Sequence, residues 1–481
     1  MRWTGWIGVA ALTALGACAQ ATPEQQTLNE AVAAMGGADR LQAATALTVE
    51  GEGVQYNHGQ DMTPGASGQT FTVSTLQRTL DLGAVRVRTG LTRTPDFPYF
   101  QGQQPQTSVQ GLDGDIAYNL LPNGDATRAS AAVVHERRLD YYHHPLTLLR
   151  AALAPGATVA NARTEGDARL VDVTTPDGHL FTLAVHASGD PASITHRGAH
   201  PNLGDVLIST TFADYTAVGA LRLPSRVTTR IDDFTTGAFT FTSQALDGDT
   251  AVVAAPAAAA AATPPAGPPP PNVVVEQVAP GLWLMAGQSH HSALVEFADH
   301  LALIDAPQSE ARTLAVIEAA RALRPEKPLT RLIATHHHFD HTAGIRAAIA
   351  EGLTVVTHAG NRAFFEEMAA RPHTLVPDAL ARTPKPLAIE TFDDALVVED
   401  AAMSMTLYHL SGNPHSDTIL MAYFPRQRAI VEVDVYGPNA AVHPYAANLL
   451  EHIRTRNLRV DRIVPLHGGV VPLAALEKVV E

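Results

Sequence analysis

The sequence predicts two unlike domains in one chain: an α+β domain with an antiparallel sheet, followed by an α/β domain. Three observations carry this. Apolar and polar residues alternate through much of the first half, as in Phe71-Thr72-Val73-Ser74-Thr75-Leu76 and Val85-Arg86-Val87-Arg88, which puts every second side chain on one face of a strand. Residues 251–271 are nearly all alanine and proline, including Pro268-Pro269-Pro270-Pro271. From Val273 onward, short apolar runs alternate with stretches of helical periodicity.

A chain of 481 residues exceeds one ordinary core, so two or three domains are expected. With 46% hydrophobic and 17% charged residues the composition is globular. A formal net charge of −15 argues against nucleic acid or an anionic membrane surface as the main partner. Cys18 is the single cysteine. An intramolecular disulfide and a cysteine-rich zinc site are thereby excluded, and any metal must be held by histidine and carboxylates.

Residues 1–17 read as a signal peptide. Arg2 supplies a positive start, and residues 6–15 form an apolar stretch too short to span a bilayer. Leu15-Gly16-Ala17-Cys18 resembles the bacterial lipobox. The resemblance implies that Cys18 is lipidated and anchors the protein to a membrane by acyl chains. By the same resemblance, Ala19 rather than aspartate after the cysteine implies the periplasmic side of the outer membrane. The alternatives are ordinary cleavage after Ala17 or Ala19 to give a free soluble enzyme, and a cytoplasmic protein with a chance apolar start.

Residues 18–250 form the predicted α+β domain. Helical periodicity runs from 23 to 45 through Leu28, Val32, Met35 and Leu41, broken at Gly36-Gly37. Strand-like alternation follows from 47 to 118. A helical piece covers 136–153, interrupted at Pro145, and strands return at 168–174, 179–186, 206–215 and 225–231. His143 and His144 precede that proline and read as helix-end residues rather than ligands; His196 and His200 are likewise not expected to bind metal. The stretch from Phe212-Ala213-Asp214-Tyr215 to Leu223-Pro224-Ser225 resembles a hairpin of periplasmic lipoprotein-carrier domains. That resemblance implies a curved antiparallel sheet around an apolar cavity. Residues 251–272 read as an extended, semi-rigid linker, with domains free to move relative to each other.

In residues 273–481, strands are expected at 281–285, 292–297 and 300–305, and a helix at 309–323. Next comes His336-His337-His338-Phe339-Asp340-His341, a His-x-His-x-Asp-His spacing. Four ligand candidates in six residues are costly to desolvate without a cation. Imidazole with carboxylate suits zinc, and also iron or manganese. The apolar run 331–335 before it reads as a buried strand and 342–350 after it as a helix, so the cluster sits on a strand-to-helix loop, where α/β folds place their chemistry.

Four further elements follow a known order. Asp305 closes an early strand; His415 lies in Ser411-Gly412-Asn413-Pro414-His415-Ser416-Asp417; Asp434 ends Ile430-Val431-Glu432-Val433-Asp434; His467 follows Ile463-Val464-Pro465-Leu466. With the His-rich loop, this domain resembles the metallo-β-lactamase superfamily. The resemblance implies a four-layer αβ/βα sandwich with the site along one edge. It also implies that His336, His338 and His415 hold one metal, that Asp340, His341 and His467 hold a second, and that Asp434 bridges them. Asp305 would orient the His loop, Asp340 would orient the nucleophile or take its proton, and His337 would point away. Two expected Zn2+ ions would share a water and lower its pKa from 15.7 towards ~7. Gly-Asn-Pro-His around His415 and Gln288-Ser289-His290-His291-Ser292 depart from the family's commoner motifs; the latter puts His290 and His291 either in the cleft or in a plain polar turn.

The sequence therefore points to an exported, lipid-anchored dinuclear zinc hydrolase acting on a small ester, lactone, thioester or β-lactam, with no nucleic-acid partner. The alternatives are a mononuclear iron oxygenase of the same superfamily, or a lipid-binding lipoprotein whose second domain is inactive.

Overall fold

The computed structural model describes residues 21–66 and 68–481. The signal segment and Cys18, with the lipidation expected there, lie outside the described residues. Among the described residues, no helix is long and apolar enough to cross a membrane.

The first domain is built on one 13-stranded sheet. A run of strands from Ala46–Tyr56 to Ala126–Arg128 forms one meander, and a run from Thr158–Glu165 to Phe234–Leu246 forms another. They join where Ala46–Tyr56 pairs antiparallel with Phe234–Leu246, setting Leu47 opposite Leu246. Helix Pro23–Ala34 begins where Thr22 accepts from the Gln25 amide and Pro23 sits in the first turn. It ends at Gly36 and Gly37, both at positive φ. Helices Ala131–Tyr142 and Pro145–Ala152 are separated as the proline requires. His143 caps the first, and the His144 ring accepts from the Leu146 amide to cap the second. Leu28, Val32, Leu41, Leu47, Leu149 and Phe181 belong to the common core of helices and sheet.

Four strands were not expected: Ala126–Arg128, Thr158–Glu165, Pro191–His200 and Phe234–Leu246. Thr158–Glu165 reads Thr-Val-Ala-Asn-Ala-Arg-Thr-Glu and is largely exposed. Its neighbour Ala168–Thr174 supplies the pairing that its own residues do not signal.

The Ala/Pro tract differs from the extended linker that its composition predicts. Residues 251–253 form a 3-10 turn and Ala257–Ala261 a short helix. Val253 and Ala259 are fully buried. The Tyr118 hydroxyl donates to the Val253 carbonyl at 3.2 Å, and Arg128 donates to that of Ala262 at 2.9 Å. Alanine is small enough to seat against the first domain, and the longest stretch without regular structure is 262–273.

The second domain has two sheets, of seven and six strands. Alternation within fully buried strands builds its layers. Leu282, Leu284 and Ala286 face the core between the sheets, whereas Trp283 and Met285 face helices Glu310–Leu323, Ile345–Ala350 and Arg362–Ala370. Met405, Leu407, Phe424, Val431 and Val464 close the inter-sheet core from the other side, and Leu449, Ile453 and Leu476 bring helices Ala446–Thr455 and Leu473–Val480 against the six-stranded sheet. The result is a helix–sheet–sheet–helix sandwich.

The two domains are docked rather than strung apart. Arg371 pairs with Asp232 and also donates to the Leu203 carbonyl. Asp205 accepts from the Thr374 and Leu375 amides, each at 3.0 Å. Gly204, at φ +70°, passes so close that a Cβ would lie 2.2 Å from the Pro372 carbonyl oxygen.

Candidate metal centre

Each candidate ligand sits just past the end of a strand. Strand Leu329–Ile333 delivers His336, His337 and His338 on a loop, and the helical turn Phe339–Thr342 carries Asp340 and His341. The helix expected over 342–350 is interrupted at Ala343-Gly344 and resumes as Ile345–Ala350. A Cβ at Gly344 would lie 1.8 Å from the Thr313 hydroxyl oxygen, so close packing against the neighbouring helix governs the break. Strand Leu301–Ile304 ends at Asp305, and strand Ala429–Glu432 leads to Asp434. Both aspartates adopt positive φ, 62° and 53°. Aspartate tolerates this conformation better than most residues, and such strain concentrates at functional sites.

The side chains gather into two groups whose ligand atoms lie within 4.8 Å of one another: His336, His338, His415 and Asp434, and His290, Asp340, His341 and His467. Asp434 reaches both. Its Oδ2 lies 3.5 Å from His336 Nε2, 3.2 Å from His415 Nε2 and 3.0 Å from His341 Nε2, and its Oδ1 lies 2.8 Å from His467 Nε2. The fit to a cation can be tested on the first group. His336 Nε2, His338 Nδ1 and His415 Nε2 are buried and make no hydrogen bond. Three orphaned imidazole nitrogens converging beside a carboxylate suit a divalent cation, because each unsatisfied buried polar atom is otherwise a cost.

The opposite ring nitrogens are held in place, as metal-binding imidazoles require. Asp305 Oδ2 lies 3.1 Å from His341 Nδ1, and the same carboxylate accepts from the Thr335 amide and hydroxyl. His336 Nδ1 lies 3.1 Å from the Thr335 hydroxyl, and His467 Nδ1 3.2 Å from the Ser289 carbonyl. His337 turns away: it lies 3.4 Å from the Thr418 hydroxyl and packs against Phe364.

Charge follows from burial and proximity. Burial pushes the His336 and His338 imidazoles below their ordinary value, and for His338 the neighbouring imidazoles add to this, so both are neutral donors. Burial acts the same way on His341, but Asp434, Asp340 and Asp305 overcome it and hold that ring well above its ordinary value. Burial would raise Asp434 and Asp340; His341 and its neighbours hold both well below the carboxylate range. The pair Asp434–His341 thus carries an internal positive charge where a cation would sit.

Glu432 is a separate case. Burial pushes its carboxyl up to about 8, opposed by the Tyr436 and Val435 amides that donate to it. It is protonated at neutral pH in the fold and ionised when unfolded. Its contribution to stability is therefore complete below about 4.5 and declines as pH rises to about 8. Glu432→Gln removes this loss. In metal-free protein, thermal unfolding should occur a few degrees higher than wild type at pH 8 and at an unchanged temperature at pH 4.5. Equal shifts at both pH values would contradict the buried-acid assignment.

Sequence reasoning left three participants unassigned. His290 completes the second group, its Nε2 3.1 Å from Asp340 Oδ2, whereas His291 turns to the Gln288 carbonyl. The His290-His291 dipeptide after a buried strand was the available signal. The other two come from the first domain, on the loop after Ala46–Tyr56. Gln60 donates to Asp340 Oδ1 at 2.6 Å, and the Asp61 carbonyl lies 2.9 Å from His338 Nε2. Nothing local in the sequence marks either.

Residues 286–424 match the family described as the Metallo-beta-lactamase superfamily. The C-terminal domain is a metallo-beta-lactamase-superfamily domain. Its two-sheet sandwich and the His/Asp groups at the strand ends agree with that assignment. No curated protein matches the chain. Among solved structures, a metallo-beta-lactamase from Pontibacter korlensis is similar at 16% identity and TM-score 0.33, over 44% of this chain and 97% of that one. The DIM-1 metallo-beta-lactamase is similar at 15% identity and TM-score 0.33, over 44% and 96%. The sec-alkylsulfatase Pisa1 from Pseudomonas sp. is similar at 16% identity and TM-score 0.33, over 43% and 40%.

Proposed function

We propose that this protein is an exported, lipid-anchored hydrolase that uses two divalent cations, zinc foremost, on an ester, lactone, thioester or β-lactam. The observation that supports it most is Asp434, whose two oxygens each face histidines of the paired groups. His336, His338 and His415 would hold one ion and Asp340, His341 and His467 the other, with His290 beside Asp340. Such a pair, when bound, supplies a water of lowered pKa and polarises the oxygen of the attacked centre.

The protein's own groups do the rest. Gln60 donates to Asp340 Oδ1 and His290 lies against Oδ2, and together they fix the carboxylate in place to orient the attacking water. Asp305 keeps the His341 ring oriented, and the strands behind the loop exclude bulk water.

The test is metal content measured together with hydrolysis of chromogenic β-lactam, lactone, thioester, phosphodiester and sulfate substrates, with Asp340→Ala alongside. The expected result is two zinc ions per chain and a turnover that Asp340→Ala reduces at least ~100-fold. One iron per chain with thiol-dependent oxygen uptake, or equal activity in both proteins, would overturn the reading. Export and anchoring have their own check: Cys18→Ser should move the protein from the membrane fraction to the soluble periplasmic fraction. Unchanged fractionation would remove the anchor from the proposal.

A further inference from the structure

A cavity of about 410 Å3 opens directly over the metal-binding groups. One wall belongs to the superfamily domain: Tyr436 and Tyr445 beside His415 and His467. The adjoining wall belongs to the first domain and comes from the loop between strands Arg86–Pro95 and Gln106–Asp113: Phe97, Tyr99, Phe100 and Gln101.

The two walls are tied together. The Val442 amide donates to the Phe100 carbonyl at 3.1 Å, and the Tyr445 hydroxyl donates to the Pro98 carbonyl. Phe100 packs edge-on to Tyr445 at 5.4 Å between centroids, and Tyr445 packs edge-on to His415 at 5.1 Å. An aromatic path therefore runs from the first domain to a candidate metal ligand. Phe97 anchors the loop by packing against Phe71 at 5.2 Å.

The charge of this lining is as telling as its shape. Apart from the candidate metal ligands, no charged side chain lines the cavity among the described residues. Its remaining polar groups are uncharged: the amides of Asn57, Gln60, Gln69, Gln101 and Asn439, and the hydroxyls of Tyr99, Tyr436 and Tyr445. Amides can pair with neutral carbonyls and hydroxyls, whereas an anionic substituent lying on the aromatic wall, away from the metal-binding groups, would be desolvated beside no cationic side chain. Aromatic faces favour flat apolar groups.

We infer that the first domain forms half of the substrate site, and that the substrate is a carboxylic ester or lactone bearing an uncharged, flat apolar group held against the aromatic wall that Tyr99, Phe100 and Tyr445 form together. This rests on the hydrolase reading above and narrows it. Water adds to the acyl carbon, the carbon–oxygen bond to the alcohol breaks, and the alcohol leaves with one proton of that water. Phe100 and Tyr99 determine specificity without touching the reacting atoms.

The test uses full-length, zinc-loaded protein with 4-acetylphenyl butyrate and 4-carboxyphenyl butyrate, which differ by one charge. The neutral ester should be preferred by about 10-fold or more in kcat/KM. Phe100→Ala should raise KM for the neutral ester about 10-fold with kcat little changed, and Gln101→Arg should narrow the preference by improving the carboxylate ester. Unchanged KM in both Phe100→Ala and Tyr99→Ala, or preference for the anionic ester, overturns the inference while hydrolysis stands. If neither ester is cleaved, calorimetry with the amide analogue N-(4-acetylphenyl)butanamide decides. Binding that Phe100→Ala weakens would keep the wall and remove the hydrolase, and no binding would remove both.

Discussion

Asp434→Ala is expected to abolish both metal retention and turnover while leaving the fold intact. Among the described residues, Asp434 is the one carboxylate whose oxygens approach histidines of both groups, His336, His341 and His415 through Oδ2 and His467 through Oδ1. Removing one partner from a buried charged cluster costs about 3–5 kcal/mol, or roughly 10²–10³-fold or more in affinity at 1.4 kcal/mol per decade. Metal-free Asp434→Ala should also unfold at lower temperature, because protonated His341 loses its principal anion. Circular dichroism should match wild type, and metal analysis after dialysis should find fewer ions. A variant that keeps both ions and at least a tenth of wild-type activity would show that Asp434 does not join the two groups.

Gly59→Val should weaken the metal centre from the other domain. Gly59 has φ +79°, and a Cβ there would lie 2.2 Å from the Phe339 ring. That ring cannot easily retreat: His58, His200 and Phe364 surround it, at 5.2, 5.3 and 6.3 Å between centroids. The Phe339 amide also donates to the Gly59 carbonyl at 3.0 Å. Phe339 stands between His338 and Asp340, so moving it moves both, and moving the loop withdraws Gln60 and the Asp61 carbonyl. Loss of such supporting contacts typically costs 10–100-fold in metal affinity or activity, and a loss in that range is expected here. Gly65→Val is the control, since Gly65 shares φ +79° but has nothing within 4 Å of a Cβ. Equal effects of the two variants would attribute the loss to backbone strain, and no effect of Gly59→Val would separate the domains functionally.

How much of this was legible in the sequence depends on the range of the interaction that creates each feature. The His336–His341 spacing is local, so it could be read directly. The break at Gly36-Gly37 and the caps at His143 and His144 are local too, set by φ freedom and by Pro145. The four-layer sandwich was implied by resemblance, and the alternation of Leu282 and Leu284 against Trp283 and Met285 shows how its strands serve two layers at once. Strand Thr158–Glu165 was not legible because its partner, rather than its own pattern, makes it a strand. The Ala/Pro tract misled for a related reason. Its composition describes a chain in water, whereas Val253 and Ala259 find a surface to bury against. Gln60 and Asp61 were out of reach altogether, because they meet Asp340 and His338 only after both domains have folded and docked.

The most direct test is a crystal structure of the zinc-loaded full-length protein with anomalous scattering at the zinc edge. Two peaks are expected, about 3.5–4 Å apart, one among His336, His338 and His415, the other among Asp340, His341 and His467, with Asp434 between them. A single peak confined to one group, or zinc bound elsewhere with both groups empty, would contradict the two-ion site.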